Sequence, residues 1–384
     1  MKRTVYDRDH EDFRATVREF IAQEVTPHYD TWWADGAPRE LFHKLGKLGI
    51  TGFDIPEEYG GPGPTGYKYN AIVAEESGRA CVELGHYSLS TGMVLPYLLR
   101  LANEEQKKRW LPGIAAGDLV LCIAMTEPGT GSDLAGIRTT AKLSADGTHY
   151  VLNGAKTFIS GVRNSELCIV VARTSPATTD DRRGGLSLLV VETASEGFEI
   201  GRKLEKLGMR GVDTSELSFT DVKVPVENLL GEQGRGFSYL GQNLPRERLG
   251  VGVTAVATAT AAVELARDYV RERTVFGHPV ADFQNTKFVL ADCATEVEAA
   301  QTLLDRGLEL EDEGELSGAE AATIKLFTTE VAGRVIDKCL QLHGGYGYIL
   351  EYPIARLYAN TRVSRIYGGT NEVMKTIIAK DLGL

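Results

Sequence analysis

The chain has 384 residues, of which 43% are hydrophobic and 25% are charged. This balance is typical of globular proteins and excludes a largely disordered or collagen-like chain, and the length predicts two or three domains. The formal net charge of −11 argues against a duplex-DNA or anionic-membrane binder, because such proteins usually carry a basic surface.

The first third of the chain has the periodicity of helices. Apolar residues from Phe13 to Val25 recur at the spacing of one helix face. The Gly- and Pro-rich segment 56–66 predicts a loop, and helical periodicity returns over residues 69–111. We therefore expect an all-helical domain over residues 1–117.

The middle of the chain changes character. Short, β-branched apolar runs separated by Gly, Asp and Asn occupy residues 119–226, and runs such as ELCIVVAR and SELSFTDVKV predict strands. Because no helical segment separates these runs, the pattern favours an antiparallel sheet or barrel over a βαβ arrangement. We expect a β domain over residues 118–230.

The last third is helical again. Residues 251–273 are apolar nearly all round, which is typical of a helix buried between other helices. Two further helical segments cover residues 284–310 and 319–342, and an acidic turn separates them. We expect a helical bundle domain over residues 231–384.

The cysteine and histidine patterns bear on the compartment and on metal binding. The five cysteines lie far apart in the sequence without a CxxC pair, and the seven histidines are scattered. This argues against a metal site or a disulfide framework and predicts a reducing compartment. The charged start MKRTVYDRDHEDFR lacks the apolar core of a secretion signal, and no stretch approaches the ~18 apolar residues of a membrane span. The expected location is therefore the cytoplasm, without a membrane segment.

One G-x-G-x-x-G pattern occurs, at Gly61, Gly63 and Gly66, but it contains prolines and follows EEY rather than an apolar strand. The dinucleotide-binding fingerprint needs a strand before it and a helix after it, so a turn explains this pattern better. The sequence contains no P-loop, G-x-S-x-G or H-E-x-x-H pattern.

Three other segments place glycines beside hydrogen-bonding side chains. The backbone N–H groups of residues 124–136 can hold a phosphate or a flavin carbonyl, although an ordinary turn also fits. Residues 341–347 follow a helix and either end it or admit a cofactor. In residues 365–372, Thr370 and Asn371 are suitable N-cap residues, and a helix start beside Gly-Gly can hold an anion or a developing oxyanion.

The stretches AMTEPGTGSDLAG and QLHGGYGYILEYPIARLYAN, together with RERTVFGHPVADFQ and KLGMRGVDTSELSF, resemble the acyl-CoA dehydrogenase family over essentially the whole chain. The resemblance implies an α+β multidomain fold with an N-terminal helical domain, a middle antiparallel β domain and a C-terminal four-helix bundle. It also implies a flavoprotein oxidoreductase of fatty acid β-oxidation. Such an enzyme binds FAD and oxidises the Cα–Cβ bond of an acyl-CoA thioester to the trans-2-enoyl thioester.

The same resemblance implies a set of cofactor contacts. Positions along the flavin are Ile123, Met125, Thr126, Gly131, Ser132, Phe158 and Ser160, and Ser132 is also implied near the thioester. Many members carry Trp and Thr where this chain has Phe158 and Ser160. Positions implied to reach the FAD of a neighbouring subunit are Arg273, Phe276, Gln284, Gln341 and Gly345, and Thr370 and Glu372 match the flavin diphosphate segment. From residue type alone, Arg273 and Gln284 fit a solvated helix face equally well.

The reaction needs a carboxylate near the substrate α-carbon and donors that hold the thioester carbonyl oxygen as negative charge develops. In the commonest family pattern the base precedes Gly-Thr in the final segment, and that position is Gly368 here. A branch resembling the long-chain and isovaleryl enzymes carries the base on an earlier helix, and the matching residue is Glu247. We expect Pro245 in the first turn of that helix, where an acid that only stabilises the helix is the alternative for Glu247. Burial beside an acyl chain should raise the pKa of Glu247.

Other roles follow from the resemblance. Arg248 matches a position that contacts the CoA part of the substrate, with an ordinary surface pair as the alternative, and the backbone N–H of Gly368 is expected to donate to the thioester carbonyl. Electron-transfer flavoprotein is the implied electron acceptor and a homotetramer the implied assembly. Alternatives are a dehydrogenase or oxidase acting on a carrier-protein-bound acyl group, and a flavoprotein of this fold without dehydrogenase turnover.

Overall fold

In the computed structural model, which describes residues 1–177 and 181–384, helices precede and follow a central β-sheet. The predicted order of a helical, a β and a second helical part is therefore confirmed. The divisions expected at 117/118 and 230/231 fall in the connection between the last N-terminal helix and the first strand, and in the connection after the last strand of the sheet.

The N-terminal helices are α1 Arg8–Phe20, α2 Tyr29–Asp35, α3 Glu40–Lys47, α4 Tyr67–Arg79, α5 Tyr87–Leu89, α6 Leu95–Leu101 and α7 Glu104–Ala116. The apolar stripe from Phe13 to Val25 forms one face as predicted, although α1 ends at Phe20 and a π-helical turn over Ile21–Val25 continues it. The helical pattern over residues 69–111 is divided among α4 to α7. A second π-helical turn, Ser90–Val94, joins α5 to α6.

The strands of the central sheet are β1 Leu121–Ala124, β2 Thr140–Leu143, β3 His149–Ser160, β4 Leu167–Arg173, β5 Leu186–Glu192, β6 Phe198–Lys203, β7 Thr214–Pro225 and β8 Leu229–Leu230. They form an eight-stranded sheet in the order β6-β7-β3-β2-β4-β5-β8, with β1 paired to β4. Most pairs are antiparallel as predicted, but β1 runs parallel to β4 with Leu121 opposite Leu167, and β2 meets β4 in parallel at Thr140 and Arg173. The antiparallel prediction is wrong for these two pairs, because neither is joined by a hairpin.

Alternate residues of β4 point to opposite faces of the sheet and pack into two different apolar cores, because side chains alternate along a strand. Ile169 packs with residues of α6 and α7, whereas Val170 packs with the residues of β3, β5 and β7. The sheet thus joins the N-terminal helices through one face. This contact places the loop that follows β1 beside the helical domains.

The C-terminal part consists of α8 Gly236–Glu272, a small hairpin of β9 Thr274–Val275 and β10 His278–Pro279, and then α9 Gln284–Glu313, α10 Gly318–Leu342, α11 Pro353–Thr361 and α12 Asn371–Asp381. Helix α8 begins well before the expected residue 251, because Tyr239, Leu240 and Asn243 are already buried on one face. Pro245 therefore lies inside the helix, and its expected place in the first turn is wrong.

Helix α8 is long and apolar enough to cross a membrane by length and composition alone, contrary to the expectation from the sequence. More than half of its most apolar 18-residue window is buried within the protein. The helix packs against α4, α9 and α10. Its place inside the helical bundle accounts for its apolar composition.

Four buried cysteines that are distant in sequence lie close together in the fold, as two separate pairs. Cys122 on β1 lies opposite Cys168 on β4 in the strand register, and Cys293 on α9 contacts Cys339 on α10. All four thiols are free.

A buried ion cluster fastens the start of the chain and α1 to α4. Arg3 and Arg14 donate to the Glu75 carboxylate at 2.8 and 2.7 Å, and Arg3 also donates to Asp305 on α9 at 2.6 Å. Burial alone would raise the pKa of Glu75, but the hydrogen bonds and charges of Arg3 and Arg14 hold that pKa below its ordinary value. Because α4 packs against α8, the cluster ties the N-terminal helices to the helix that carries Glu247.

Replacing Glu75 by Gln should lower the free energy of unfolding by about 3 kcal/mol, because two largely buried guanidinium groups lose their carboxylate. Since the native pKa of Glu75 is lowered, its charge stabilises the fold above the unfolded-state pKa of about 4.3 and this contribution is lost as the pH falls through the native pKa. The difference between wild type and Glu75→Gln, measured by urea unfolding, should therefore shrink at acid pH.

The matched control is Glu105→Gln, which removes an exposed carboxylate paired with Lys108 on α7. We expect this change to leave the free energy of unfolding nearly unchanged, because exposed pairs contribute little. Equal effects of the two substitutions, or a difference that stays constant into the acid range, would contradict the role of the cluster.

Candidate active site

Glu247 lies in the interior of α8, where that helix faces α6, and only 7% of the residue is exposed. The Tyr97 hydroxyl on α6 donates to Oε1 of Glu247 at 3.0 Å. The amide Nδ2 of Asn243, one helical turn earlier, donates to the same oxygen at 2.9 Å. The alternative of a first-turn acid is wrong, because α8 begins at Gly236.

The surroundings of Glu247 perturb its titration. Burial raises the pKa of Glu247, while the hydrogen bonds from Asn243 and Tyr97 and the charge of Arg248 oppose that rise. The increase in pKa expected from the sequence is thus confirmed. Arg246 faces elsewhere and pairs with Asp54 at 3.0 Å. A carboxylate with a raised pKa is suited to act as a general base near neutral pH.

The buried side chains of Arg248 and Lys325 bind the carbonyl oxygens of the Gly368–Gly369 turn. The two glycines have φ angles of 65° and 90°, left-handed backbone that glycine adopts without strain. Nε of Arg248 donates to the carbonyl oxygen of Gly368 at 3.3 Å, and Nζ of Lys325 donates to that of Gly369 at 2.6 Å. Because N–H and C=O are antiparallel across a trans peptide bond, the N–H groups of Gly369 and Thr370 point away from both cations.

The sequence analysis identified Arg248 as a site residue but did not identify Lys325. Arg248 is buried, so the alternative of an ordinary surface pair is wrong. Lys325 on α10 was not anticipated, because a single lysine in a helix suggests a solvent-facing position. Burial lowers the pKa of Lys325 to about 8, and its side chain is fully buried.

Thr370 caps α12, as the sequence predicts. Its Oγ1 accepts the backbone N–H of Val373 at 3.3 Å, and Glu372 lies exposed in the first helical turn. Asn371 is not the cap, because its side chain is buried and its Oδ1 accepts a hydrogen bond from Lys325 at 3.2 Å. The segment thus forms a capped helix start directly after the glycine turn.

A buried ion pair shapes the loop after β1. Lys156 on β3 donates to Glu127 and to the carbonyl oxygen of Met125, both at 3.0 Å. Glu127 also accepts the backbone N–H groups of Arg138 and Thr139, at 2.7 and 2.9 Å. Both charged side chains are buried, and the sequence patterns did not single them out. Both residues lie in segments that resemble the family, Glu127 in the glycine-rich segment and Lys156 at the start of KTFIS, and this position could have identified them.

The positions implied along a flavin come together at this loop. The backbone N–H of Thr157 donates to the carbonyl oxygen of Thr126 at 2.9 Å, which brings Phe158 beside the segment of Ile123, Met125, Gly131 and Ser132. Phe158 lies at a β-bulge with a φ of 58°, and 65% of the residue is exposed. Ser160 shares a hydrogen bond with Thr214 at 3.2 Å.

These residues fit a bound flavin. A Cβ atom built on Gly129 or Gly131 would meet no atom within 4 Å, so the space beside the loop backbone is open. The exposed ring of Phe158, which follows Thr157 on the strand bonded to this loop, offers a face on which a flat ring system can stack. The loop, the bulge and the hydroxyl groups of Thr126 and Ser132 together have the composition of a cofactor site.

A second group of implied cofactor positions lies at one end of the C-terminal bundle. The Arg273 guanidinium lies 5.8 Å from the ring centroid of Tyr346, which brings the β9–β10 hairpin next to the turn that contains Gly345. Phe276 at the tip of the hairpin is 94% exposed, and Gln284, Gln341 and Gly345 are exposed as well. Within the described ranges, no hydrogen bond or ring contact links this group to Ser132, Phe158 or Ser160 of the same chain.

Comparison with known proteins agrees with this architecture. Profiles of the acyl-CoA dehydrogenase N-terminal, middle and C-terminal domains match residues 7–118, 122–222 and 234–383. The mitochondrial long-chain specific acyl-CoA dehydrogenase of Sus scrofa is 42% identical over 381 residues, which cover 99% of this chain and 88% of that protein.

Solved structures agree as well. The crystal structure of an acyl-CoA dehydrogenase from Geobacillus kaustophilus matches with a TM-score of 0.96 and 43% identity, over 100% of both chains. The structure of an acyl-CoA dehydrogenase complexed with FAD from Bacillus anthracis matches with a TM-score of 0.90 and 33% identity, over 98% of this chain and 67% of that chain.

Replacing Lys156 by Met should weaken FAD retention about tenfold or more, because Glu127 loses its cation and the loop loses the side-chain part of its attachment to β3. Flavin absorbance per chain after purification, and titration of the flavin-free protein with FAD, measure this effect. Lys142→Met on the neighbouring β2, where the side chain is exposed, is the control and should retain FAD fully. Full retention by Lys156→Met would show that the ion pair does not support the flavin site.

Proposed function

This chain belongs to the acyl-CoA dehydrogenase family, and on that basis we propose that Glu247 is the base that removes the α-proton of the substrate. The enzyme catalyses the FAD-dependent dehydrogenation of an acyl-CoA thioester, and FAD supplies the acceptor for the hydride that leaves the β-carbon. The observation that carries the proposal is a buried carboxylate with a raised pKa at position 247, combined with the absence of a side chain at position 368.

The α-proton of a thioester is weakly acidic, so its removal needs an ionised base and stabilisation of the carbonyl oxygen. Glu247 supplies the base. The backbone N–H of Gly368 supplies a donor to the thioester carbonyl. Arg248 and Lys325, which lie behind the glycine turn, add a positive potential that favours negative charge on that oxygen in a buried site.

The first group of cofactor positions is proposed to hold the flavin end of FAD. The exposed ring of Phe158 supports stacking against the flavin, and Ser160 supports a hydrogen bond to its ring. Thr126 and Ser132 contribute hydroxyl groups at the mouth of the loop, with Ser132 also near the thioester. Thr370 and Glu372, at the N-terminus of α12, are proposed to lie near the diphosphate.

The second group is proposed to bind the adenosine half of the FAD of a neighbouring subunit. The exposure of Arg273, Phe276 and Gln284 and their separation from Phe158 support this assignment. It requires at least a dimer, and we propose a homotetramer. Electron-transfer flavoprotein is the proposed electron acceptor. We also propose a cytoplasmic location, which the free cysteines support because thiols persist in a reducing compartment.

Flavin bleaching is the measurement that assigns the acyl group. Anaerobic titration with straight and branched acyl-CoAs, and with acyl groups on a carrier protein, would identify the substrate by bleaching of the flavin absorbance. Peroxide formation without an added acceptor would identify an oxidase. Absence of bleaching with every thioester would favour a flavoprotein of this fold without dehydrogenase turnover.

Replacing Glu247 by Gln should leave FAD bound but slow flavin reduction by a good acyl-CoA substrate about 1,000-fold, because the base is lost. In the wild type, kcat/KM should fall as the pH falls below the raised pKa of Glu247, since only the carboxylate accepts a proton. Stopped-flow reduction measured against pH tests both expectations. Glu264→Gln, on the same helix and in an exposed pair with Arg79, is the control. Near-wild-type reduction by Glu247→Gln would refute the assignment.

A mixing experiment tests the shared cofactor site. Arg273→Ala and Phe158→Ala should each lose FAD when expressed alone. Co-expressed chains should regain FAD in about a quarter of the sites by random pairing, because some sites then take Phe158 from one subunit and Arg273 from the other. No recovery in the mixed oligomer would contradict a site that two subunits share.

A further inference from the structure

The two oxygens of the Glu247 carboxylate have different surroundings. Oε1 accepts the Tyr97 hydroxyl at 3.0 Å and the Asn243 amide at 2.9 Å. Among residues 1–177 and 181–384, no donor lies within hydrogen-bond distance of Oε2. The carboxylate is therefore anchored through Oε1 alone.

Tyr97 and Asn243 are themselves fixed. Tyr97 is completely buried on α6, and Nδ2 of Asn243 also donates to the carbonyl oxygen of Met93 at 2.9 Å. Both hydrogens of the Asn243 amide are thus engaged, which defines the orientation of the side chain. Met93 lies in the π-helical turn Ser90–Val94, and such turns are frequent at functional sites. The N-terminal helices therefore fix Glu247 through the Tyr97 hydroxyl and fix Asn243 through the carbonyl oxygen of Met93.

We propose that Tyr97 and Asn243 are positioning residues that hold Oε1 of Glu247 so that Oε2 receives the α-proton. This inference rests on the proposed role of Glu247 as the base. In the step, the α-carbon–hydrogen bond breaks and an O–H bond forms on Oε2. The electron pair of the broken bond enters the new carbon–carbon double bond as the β-hydride passes to FAD, which the established reaction supplies as oxidant.

The physical reason is the freedom of a glutamate side chain. A carboxylate held by one oxygen cannot rotate freely, and a base that is displaced by about 1 Å can lose about 100-fold in rate. Donors to Oε1 also stabilise the ionised form that accepts the proton. The same two contacts therefore direct the base and keep it charged.

The charged and titratable groups that face Glu247 come from three elements of the described structure. They are Tyr97 from α6, Tyr67 from α4 and Arg248 on α8 itself. Arg248 lowers the pKa of Glu247 by its charge, and the Tyr97 hydrogen bond does so as well. Loss of the Tyr97 hydroxyl should thus raise the pKa of Glu247 further.

Tyr97→Phe tests the inference in the FAD-bound enzyme, because it removes one oxygen atom and keeps the ring. We expect the limiting rate of flavin reduction to fall about 10- to 100-fold with little change in KM. The acid limb of the pH profile should move to higher pH, because the Tyr97 hydrogen bond that lowers the pKa of Glu247 is lost. Tyr87→Phe is the matched control, since the Tyr87 hydroxyl is also buried and donates to Asn70 at 2.9 Å away from Glu247. Its rate and pH profile should match the wild type.

Asn243→Leu, which is close in volume, provides an independent second variant if Tyr97→Phe is poorly folded. It should show the same fall in rate and the same direction of pH shift. In the Glu247→Gln background, Tyr97→Phe should have no further effect, because the residue it positions is gone. A wild-type rate and pH limb for both Tyr97→Phe and Asn243→Leu would overturn the inference alone. An active Glu247→Gln enzyme would instead overturn the role of Glu247 on which the inference rests.

Discussion

The carboxylate of Glu247 is buried where the N-terminal helices meet α8, and much of the surrounding structure makes this burial tolerable. An ionised carboxylate inside a protein is costly unless hydrogen bonds and an opposite charge compensate it. Tyr97, Asn243 and Arg248 supply this compensation. Because they oppose the effect of burial only in part, the carboxylate keeps a raised pKa. The Glu247 carboxylate is therefore held in a fixed position and, because its pKa is raised, accepts a proton more readily than an exposed glutamate.

Two positive charges lie at the Gly368–Gly369 turn. Arg248 and Lys325 point at the carbonyl oxygens of Gly368 and Gly369, and both cations are buried. They fix the turn and make the potential beside it positive. The carboxylate of Glu247 on α8 and the cationic turn after α11 thus carry charges of opposite sign. The ion pair of Lys156 and Glu127 performs a comparable structural role for the loop after β1, where flavin positions gather.

Side-chain periodicity is a local property, and it was enough to predict the helical, β and helical order and most strands. The parallel pairing of β1 with β4 was missed because it depends on how the chain crosses from one domain to the next. The early start of α8 was missed because Pro245 suggested a first turn, whereas packing of Tyr239 and Leu240 extends the helix. Tyr97 and Lys156 were missed for a different reason. Their partners Glu247 and Glu127 are distant in the chain, so only the fold brings each pair together.

With Glu247 as the proposed base, the domain junction also makes the rate of catalysis a sensitive measure of how the domains dock. The Glu247 backbone belongs to the C-terminal bundle, whereas Tyr97 and the carbonyl oxygen that orients Asn243 belong to the N-terminal helices. A slight parting of the two on warming would release the carboxylate while every helix stays intact, since local openings need less free energy than global unfolding. Heat inactivation should therefore precede the loss of far-ultraviolet circular dichroism, and the interval between the two temperatures measures how firmly the domains are joined.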